Sequence, residues 1–252
     1  MNRSKLLLLL AFIAMPIGVV AQTADEEVSQ GLQLEKLMHE GEALNKYRLA
    51  LKIQPDNLVA LTRASLMCSR IGNRETDKDK QTVYFKVAKI YADGALKINP
   101  ENAEANLVEA VAMGRMALIS GAKQKVAALR GIKRYTELAI KYDPANPDAW
   151  FLLGKWNYEV YNLNFFERAA ANMLFGGVPK SSLKDAITYY QKSLQLDPGF
   201  IQAYYELGKA YHKNNEDAQA ISTLKKALSL RNTHEDDSTF KAGADQLLES
   251  LQ

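Results

Sequence analysis

The side chains that most often carry catalysis or bind metals are scattered in this sequence. The three histidines, His39, His212 and His234, lie far apart and none has a second ligand at metal-binding spacing. No His-Glu-x-x-His, phosphate-binding lysine loop, nucleophile elbow or dinucleotide-binding glycine pattern occurs. The acidic run at residues 234–237 could hold a cation, but we interpret it as the solvated start of a loop. We therefore expect no enzyme activity, no metal site and no cofactor.

A second group of residues suits binding better than catalysis. Phe151 and Lys155 are four residues apart, and so are Tyr205 and Lys209. On a helix this spacing puts both members of a pair on the same face. An aromatic ring can bury an extended apolar segment, and a lysine can pair with an acidic group. The alternative is an ordinary solvated face, so the elements that carry the pairs must be considered.

Those elements belong to an internal repeat. Five segments end alike, with an apolar helix end followed by a residue that stops the helix. The stops are Pro55, Pro100, Pro144, Pro198 and Asn232. They are 45, 44, 54 and 34 residues apart, and the last interval is the period of the tetratricopeptide repeat (TPR). The longer intervals predict insertions in loops, including a polar loop at residues 72–80 and an extra helix and loop at about 162–180.

The repeat also has a steric signature. Residues 144–154 align without a gap on residues 198–208. Large and small residues recur at TPR spacing, and we expect them to pack where paired helices cross: Trp150, Leu153, Gly154, Tyr204, Leu207, Gly208 and Ala220. The predicted fold is all-α, a right-handed α-solenoid of TPR-like helical hairpins with a C-terminal capping helix at about residues 236–251.

In the TPR frame, certain positions of each first helix face the concave groove. When these groove-facing positions, which we call slots, are transferred to each repeat of this chain, they predict the following groove residues: Arg70, Arg115, Phe151, Lys155, Tyr158, Tyr205, Lys209 and His212. The groove would then be aromatic, with lysines, toward its C-terminal end. We predict that it captures a protein or peptide by burying apolar side chains against the rings and orienting acidic groups with the lysines.

The N-terminal residues have the parts of a secretory signal peptide. Arg3 and Lys5 form a basic start, and an apolar run and small residues follow. The sequence predicts a signal peptide at residues 1–21, with an uncleaved anchor as the alternative. A TPR-like domain would occupy residues 22–252, with no transmembrane segment after cleavage. The protein would then be exported, either periplasmic or secreted.

Charge and cysteine content set further limits. Without the basic residues of the predicted signal, 30 Lys and Arg stand against 29 Asp and Glu, so we expect no nucleic-acid partner. The single cysteine, Cys68, allows no intrachain disulfide. The basic run at residues 123–134 is interpreted as a solvated face, with contact to anionic lipid or an acidic partner as the alternative.

Three motifs lie between about residues 119 and 200, and the last of them is more specific than the TPR spacing. They are Gly-Ala-Lys-Gln-Lys at 121–125, Asn-Pro-Asp-Ala-Trp at 146–150, and Phe-Glu-Arg at 166–168 with a following Leu-Phe-Gly at 174–176. This stretch resembles the regulator of microtubule dynamics family. The resemblance implies a non-catalytic helical-repeat adaptor, with eukaryotic members acting at microtubules, at organelle contacts or in lipid handling. Because the predicted signal peptide departs from that setting, we carry over the fold and not the cellular role.

The sequence leaves one alternative function open. The chain could instead carry a lipid or a small apolar ligand, with the 162–180 insertion acting as a lid over the groove or as an apolar wedge. The competing interpretation of the insertion is structural, since it could simply fill the gap that its own length creates. Glu167 and Arg168 would then pair with neighbouring residues.

Overall fold

The computed structural model describes residues 23–252, apart from the side chain of Phe175. The predicted signal peptide, residues 1–21, lies outside the described residues. Within them there are twelve α-helices and no strand. The helices are α1 Ala24–Lys36, α2 Glu40–Ile53, α3 Leu58–Arg74, α4 Lys78–Ile98, α5 Ala103–Leu118, α6 Ala122–Tyr142, α7 Pro147–Tyr161, α8 Phe165–Phe175, α9 Leu183–Leu196, α10 Ile201–Lys213, α11 Asp217–Ser229 and α12 Asp237–Ser250.

The helices pack as five consecutive hairpins. The pairs are α1 with α2, α3 with α4, α5 with α6, α7 with α9, and α10 with α11. Each hairpin also contacts the next, and α12 packs on α10 and α11 at the C-terminal end. Helix α8 is inserted within the fourth pair and packs on α6. The predicted all-α solenoid of TPR-like hairpins with a terminal capping helix is confirmed.

A repeated asparagine starts the first helix of three hairpins. The side chains of Asn57, Asn102 and Asn146 accept hydrogen bonds from the backbone N–H of Ala60, Ala105 and Ala149 respectively, at 3.0, 2.8 and 3.1 Å. Asparagine is favoured at this position because its oxygen satisfies an amide that has no partner within the helix. The residues before it form the turn that ends the preceding helix. Each hairpin junction is therefore encoded locally.

The longer repeats differ from the sequence-based expectation. The stretch at residues 72–80, predicted as a polar loop, is mostly helical, because α3 continues to Arg74 and α4 begins at Lys78. Asp77 caps α4 by accepting from the backbone N–H of Asp79 and Lys80. Helices α4 and α6 each have 21 residues, against 13 in α11. The extra residues of the second and third repeats thus lengthen helices instead of forming long loops.

Small residues sit where the paired helices approach most closely. A Cβ atom added to Gly208 would lie 2.6 Å from Leu224, and one added to Gly154 would lie 2.8 Å from the Tyr190 ring. The neighbouring repeat positions Leu153, Leu207 and Ala220 are buried. Trp150 and Tyr204, which occupy equivalent slots, are only half-buried, and the Trp150 Nε1–H donates to the carbonyl oxygen of Pro144.

We expect the substitution Gly154→Ala to lower the free energy of unfolding by about 1–3 kcal/mol, because the new methyl group would overlap the buried ring of Tyr190. Gly114→Ala is the matched control, since Gly114 lies inside α5 and nothing would meet its Cβ within 4 Å. There the better helix propensity of alanine should stabilise the protein by up to about 1 kcal/mol. Urea unfolding of both variants checks the opposite signs, and equal effects would contradict the close approach of α7 and α9.

Candidate functional site

The first helices of successive hairpins form one continuous face of the solenoid. Helix α3 contacts α5, α5 contacts α7, and α7 contacts α10. This first-helix face is the concave one in a TPR solenoid, and it carries the predicted groove residues. Two clusters of charged side chains lie on it, one toward each end.

The cluster near the C-terminal end, which we call the lysine site, has a buried carboxylate between two lysines. Glu206 is 4% exposed. Its Oε1 lies 3.5 Å from Nζ of Lys155, and its Oε2 lies 2.7 Å from Nζ of Lys209. The Lys209 ammonium group also lies 5.3 Å and 5.2 Å from the ring centres of Tyr158 and Tyr205. The site thus joins α7 and α10 through two cations, one anion and two aromatic rings.

Glu206 and Lys209 stabilise each other's charged forms in the lysine site. Burial acts to raise the pKa of the Glu206 carboxyl, but the ammonium groups of Lys155 and Lys209 outweigh it and the pKa lies below its ordinary value. For Lys209, burial acts to lower the pKa, whereas the neighbouring Glu206 raises it, and the net pKa is above its ordinary value. With all three groups ionised, the site has one net positive charge. About a third of each lysine side chain is open to solvent.

Phe151 and His212 were both predicted to line the open groove, but the structure gives them different surroundings. Phe151 is 8% exposed, and its ring packs 4.9 Å from that of Phe200 and 5.7 Å from that of Tyr190. It is therefore a core residue and offers no open binding surface. His212 is exposed, and its Nδ1 lies 2.7 Å from a carboxylate oxygen of Asp217. Tyr205 occupies the repeat position that corresponds to Phe151, but its environment differs. It is only half-buried, and its ring centre lies 6.3 Å from that of Phe240 in α12.

The second cluster, which we call the arginine site, lies where α2, α3 and α5 come together. Its centre is Glu40, which is 2% exposed. The Glu40 carboxylate lies 3.0 Å from Nη1 of Arg70 and 2.7 Å from Nη2 of Arg74. Arg115 of α5 completes the site and donates from Nη1 to the side-chain oxygen of Asn73 at 2.7 Å. The site brings together two of the predicted groove residues, Arg70 and Arg115, and adds Arg74, which the slot assignment did not include.

The linker between α11 and α12 reaches the arginine site from the other end of the chain. Glu235 lies 3.0 Å from Nη2 of Arg74 and accepts a hydrogen bond from the backbone N–H of Glu40 at 2.7 Å. Asp236 lies 3.1 Å from Nη1 of Arg74. Asp237 holds the turn by accepting from the backbone N–H of Thr233 and His234. The interpretation of residues 234–237 as a solvated loop start was therefore wrong, because the carboxylates of Glu235 and Asp236 connect this linker to the first two hairpins.

Helix α8 does not lie over the first-helix face. It packs on α6, where Glu167 accepts from Nζ of Lys125 at 2.6 Å and forms a capping box with Asn164. Arg168 donates to two backbone carbonyl oxygens. Phe165, Phe166 and Met173 are 79%, 74% and 84% exposed. Helix α8 therefore does not act as a lid over the groove in this arrangement, although it does carry an exposed apolar surface.

The described residues offer no sign of a metal centre or a membrane span. Between residues 23 and 252, no three His, Cys, Asp or Glu side chains gather as a metal would require. In the same part of the chain, no helix combines the length and the apolar character needed to cross a bilayer.

Comparison with known proteins gives the family. The sequence matches the family model described as Regulator of microtubule dynamics protein 1-3 over residues 22–252. Regulator of microtubule dynamics protein 3 of Rattus norvegicus is 29% identical over 232 residues, which cover 88% of this chain and 49% of that protein. Protein 1 of Bos taurus is 30% identical, with coverage of 88% and 71%. The chain thus spans about half the length of the protein 3 relatives.

Solved structures agree with the fold. TTC0263, a thermophilic TPR protein in Thermus thermophilus, superposes with a TM-score of 0.65 at 16% identity, over 89% of this chain and all of that one. Pseudomonas aeruginosa pilF superposes with a TM-score of 0.55 at 14% identity, over 90% and 91% of the two chains. At these low sequence identities, the structural similarity supports the TPR-type solenoid fold and nothing about function.

These comparisons correct one prediction and confirm another. The relatives are animal proteins named for the regulation of microtubules, which are filaments inside cells, so the expectation of an exported, periplasmic or secreted protein is wrong. The resemblance seen in the motifs between about residues 119 and 200 extends over nearly the whole described chain. The chain belongs to the regulator of microtubule dynamics family.

Proposed function

We propose that the chain is a non-catalytic protein-interaction scaffold that binds an extended peptide segment of a partner protein on its first-helix face. The TPR-type solenoid supports a scaffold, and the names of the relatives describe regulators. The observation that carries the finer proposal is the lysine site. There two half-exposed tyrosine rings and one net positive charge lie side by side on neighbouring hairpins.

The chemistry of the lysine site favours a peptide with an apolar residue next to an acidic group. Tyr158 and Tyr205 supply partly open ring faces that an apolar side chain can cover. Glu206 compensates only one of the two lysines, so a carboxylate that approaches from solvent meets an excess positive charge. The ion pair between Glu206 of α10 and Lys155 of α7 holds these groups near each other before a partner arrives.

The test is a selection of displayed random peptides on the purified wild-type protein, followed by binding measurements on a neutralised variant. Charge reversal of the two lysines would leave Glu206 buried beside two further acids and could unfold the protein. The better variant is therefore Lys155→Gln, Lys209→Gln and Glu206→Gln together, which keeps the approximate shape and removes all three charges. We expect selected peptides to bind this variant at least tenfold more weakly, with an unchanged helical circular dichroism spectrum.

The matched control is Lys225→Gln with Lys226→Gln, because both residues are exposed on α11 and away from the lysine site. This variant should bind the same peptides as tightly as the wild type. The proposal is wrong if the selection enriches no peptide, or if the enriched peptides bind the neutralised variant and the control equally well.

A further inference from the structure

The arginine site is occupied by the chain's own carboxylates. Glu235 and Asp236, which we call the acidic strap, are 195 and 162 residues away from the groups they bind. They belong to the linker at residues 230–236, which has no regular structure between α11 and α12. In the described part of the chain, none of the apolar core clusters includes a residue of this linker. The strap is therefore held to the first two hairpins by polar contacts with Glu40 and Arg74.

The surface under the strap has the features of a carboxylate-binding site. Helix α2 has no side-chain cap of its own, because its N-cap residue His39 makes no capping hydrogen bond. Glu235 takes that place and accepts from the first backbone N–H of the helix, where the helix dipole favours an anion. Arg74 adds two charge-assisted contacts to the strap. Hydrogen bonds between ionised groups are about twice as strong as those between neutral groups.

The strap does not satisfy the whole site. Among residues 23–252, Nε of Arg115 is buried and meets no hydrogen-bond acceptor. Burial lowers the pKa of Arg115 to about 10, against the opposing influence of Asp236. Buried polar groups in proteins nearly always have a partner, so the Arg115 Nε–H can donate to an incoming acceptor. An additional carboxylate oxygen would supply it.

We propose that the arginine site, formed by Arg70, Arg74, Arg115 and the first amide of α2, binds an acidic segment of a partner protein, and that the acidic strap is an internal competitor which this segment displaces. The inference rests on the proposed function as a peptide-binding scaffold and names a second subsite on it. With the strap removed, Glu40 still pairs with Arg70 and Arg74, and Arg115 still donates to the neutral Asn73 side chain. Uncompensated arginine charges in an empty site would be energetically unfavourable. The acidic strap therefore leaves the site when the acidic segment of the partner takes its place.

The test uses a fluorescein-labelled peptide with the sequence of residues 231–238 as the probe, and the full chain as the receptor. In the variant Glu235→Gln with Asp236→Asn the internal competitor is neutralised, and the binding-competent fraction of the site rises. We expect the probe to bind this variant at least tenfold more tightly than the wild type. A probe carrying Gln and Asn in place of its Glu and Asp should not bind. Addition of Arg74→Gln to the variant should abolish the tenfold gain, because Arg74 makes both ion pairs with the strap carboxylates.

The charge-matched control is Asp245→Asn with Glu249→Gln, which removes two exposed acids from α12 and should bind the probe like the wild type. The inference is overturned if the strap variant binds the probe no tighter than this control, or if the gain survives Arg74→Gln. Should the double strap variant not fold, Glu235→Gln alone gives the same comparison, because its amide oxygen can still accept from the Glu40 amide.

Failure here is distinguishable from failure of the proposed function. In one outcome, peptides selected on the wild type bind the neutralised lysine-site variant more weakly, but the strap variant shows no gain in probe affinity. The scaffold proposal then stands, and the strap has a structural role only. A selection that yields no peptide removes the scaffold proposal itself.

Discussion

The variant Trp156→Ala is expected to lose about 3–5 kcal/mol of unfolding free energy, as is usual for removal of a fully buried aromatic residue. The indole is 3% exposed and packs among the side chains between α6, α7 and α8. Its Nε1–H donates to the carbonyl oxygen of Leu129 at 2.8 Å, and the Lys133 ammonium group lies 4.9 Å from its ring centre. Truncation therefore removes packing, a hydrogen bond and a cation–π contact together. Urea unfolding followed by circular dichroism measures the loss.

The companion variant Trp150→Ala tests the same substitution at a half-buried site. From the repeat pattern alone Trp150 would be a core residue, and its truncation would cost as much as that of Trp156. In the structure Trp150 is half-buried, and its ring packs at a tilt against Tyr189 with the ring centres 5.8 Å apart, so the expected loss is about 2 kcal/mol or less. Equal losses for the two variants, or a larger loss for Trp150→Ala, would contradict the packing described here.

The repeat made the hairpins predictable because each helix end is encoded within a few residues. Proline after the apolar helix end and asparagine at the next start define the junctions at Pro55, Pro100 and Pro144 without reference to the rest of the chain. Helix length was less predictable. The polar residues 72–80 have loop-like composition, yet Asp77 caps a long helix there, since packing against a neighbouring hairpin outweighs local propensity.

The site was less predictable than the fold, for three reasons. The slot assignment presumes that equivalent positions have equivalent neighbours, but Phe151 is covered by Phe200 whereas Tyr205 faces the capping helix. The slots also name single positions and miss the acids that compensate them, such as Glu206. The contact between Glu235 and the Glu40 amide depends on the curvature of the whole solenoid, for which no local pattern gives a signal.

The second large effect is expected when the lysine site loses its cations. Lys155→Met with Lys209→Met leaves the Glu206 carboxylate buried without a positive partner, which typically costs about 3–5 kcal/mol. Solvent reaches part of both lysine side chains, so the lower end of that range is expected at pH 7. Guanidinium unfolding of the double variant measures the loss. Adding Glu206→Met should restore most of the stability, because an apolar triad has no charge to compensate.

The pH dependence of this loss separates charge from packing. In the wild type the pKa of Glu206 is below its ordinary value, so its contribution is present above the unfolded pKa of about 4.3 and is lost as the pH falls through the lower folded pKa. In the double variant burial alone acts on Glu206 and raises its pKa, so the folded state takes up a proton as the pH drops from 7 toward 4. The difference in stability between the two proteins should therefore shrink on acidification. A difference that stays constant from pH 7 to pH 4 would mean that the methionines disturb packing and that the Glu206 charge plays no part.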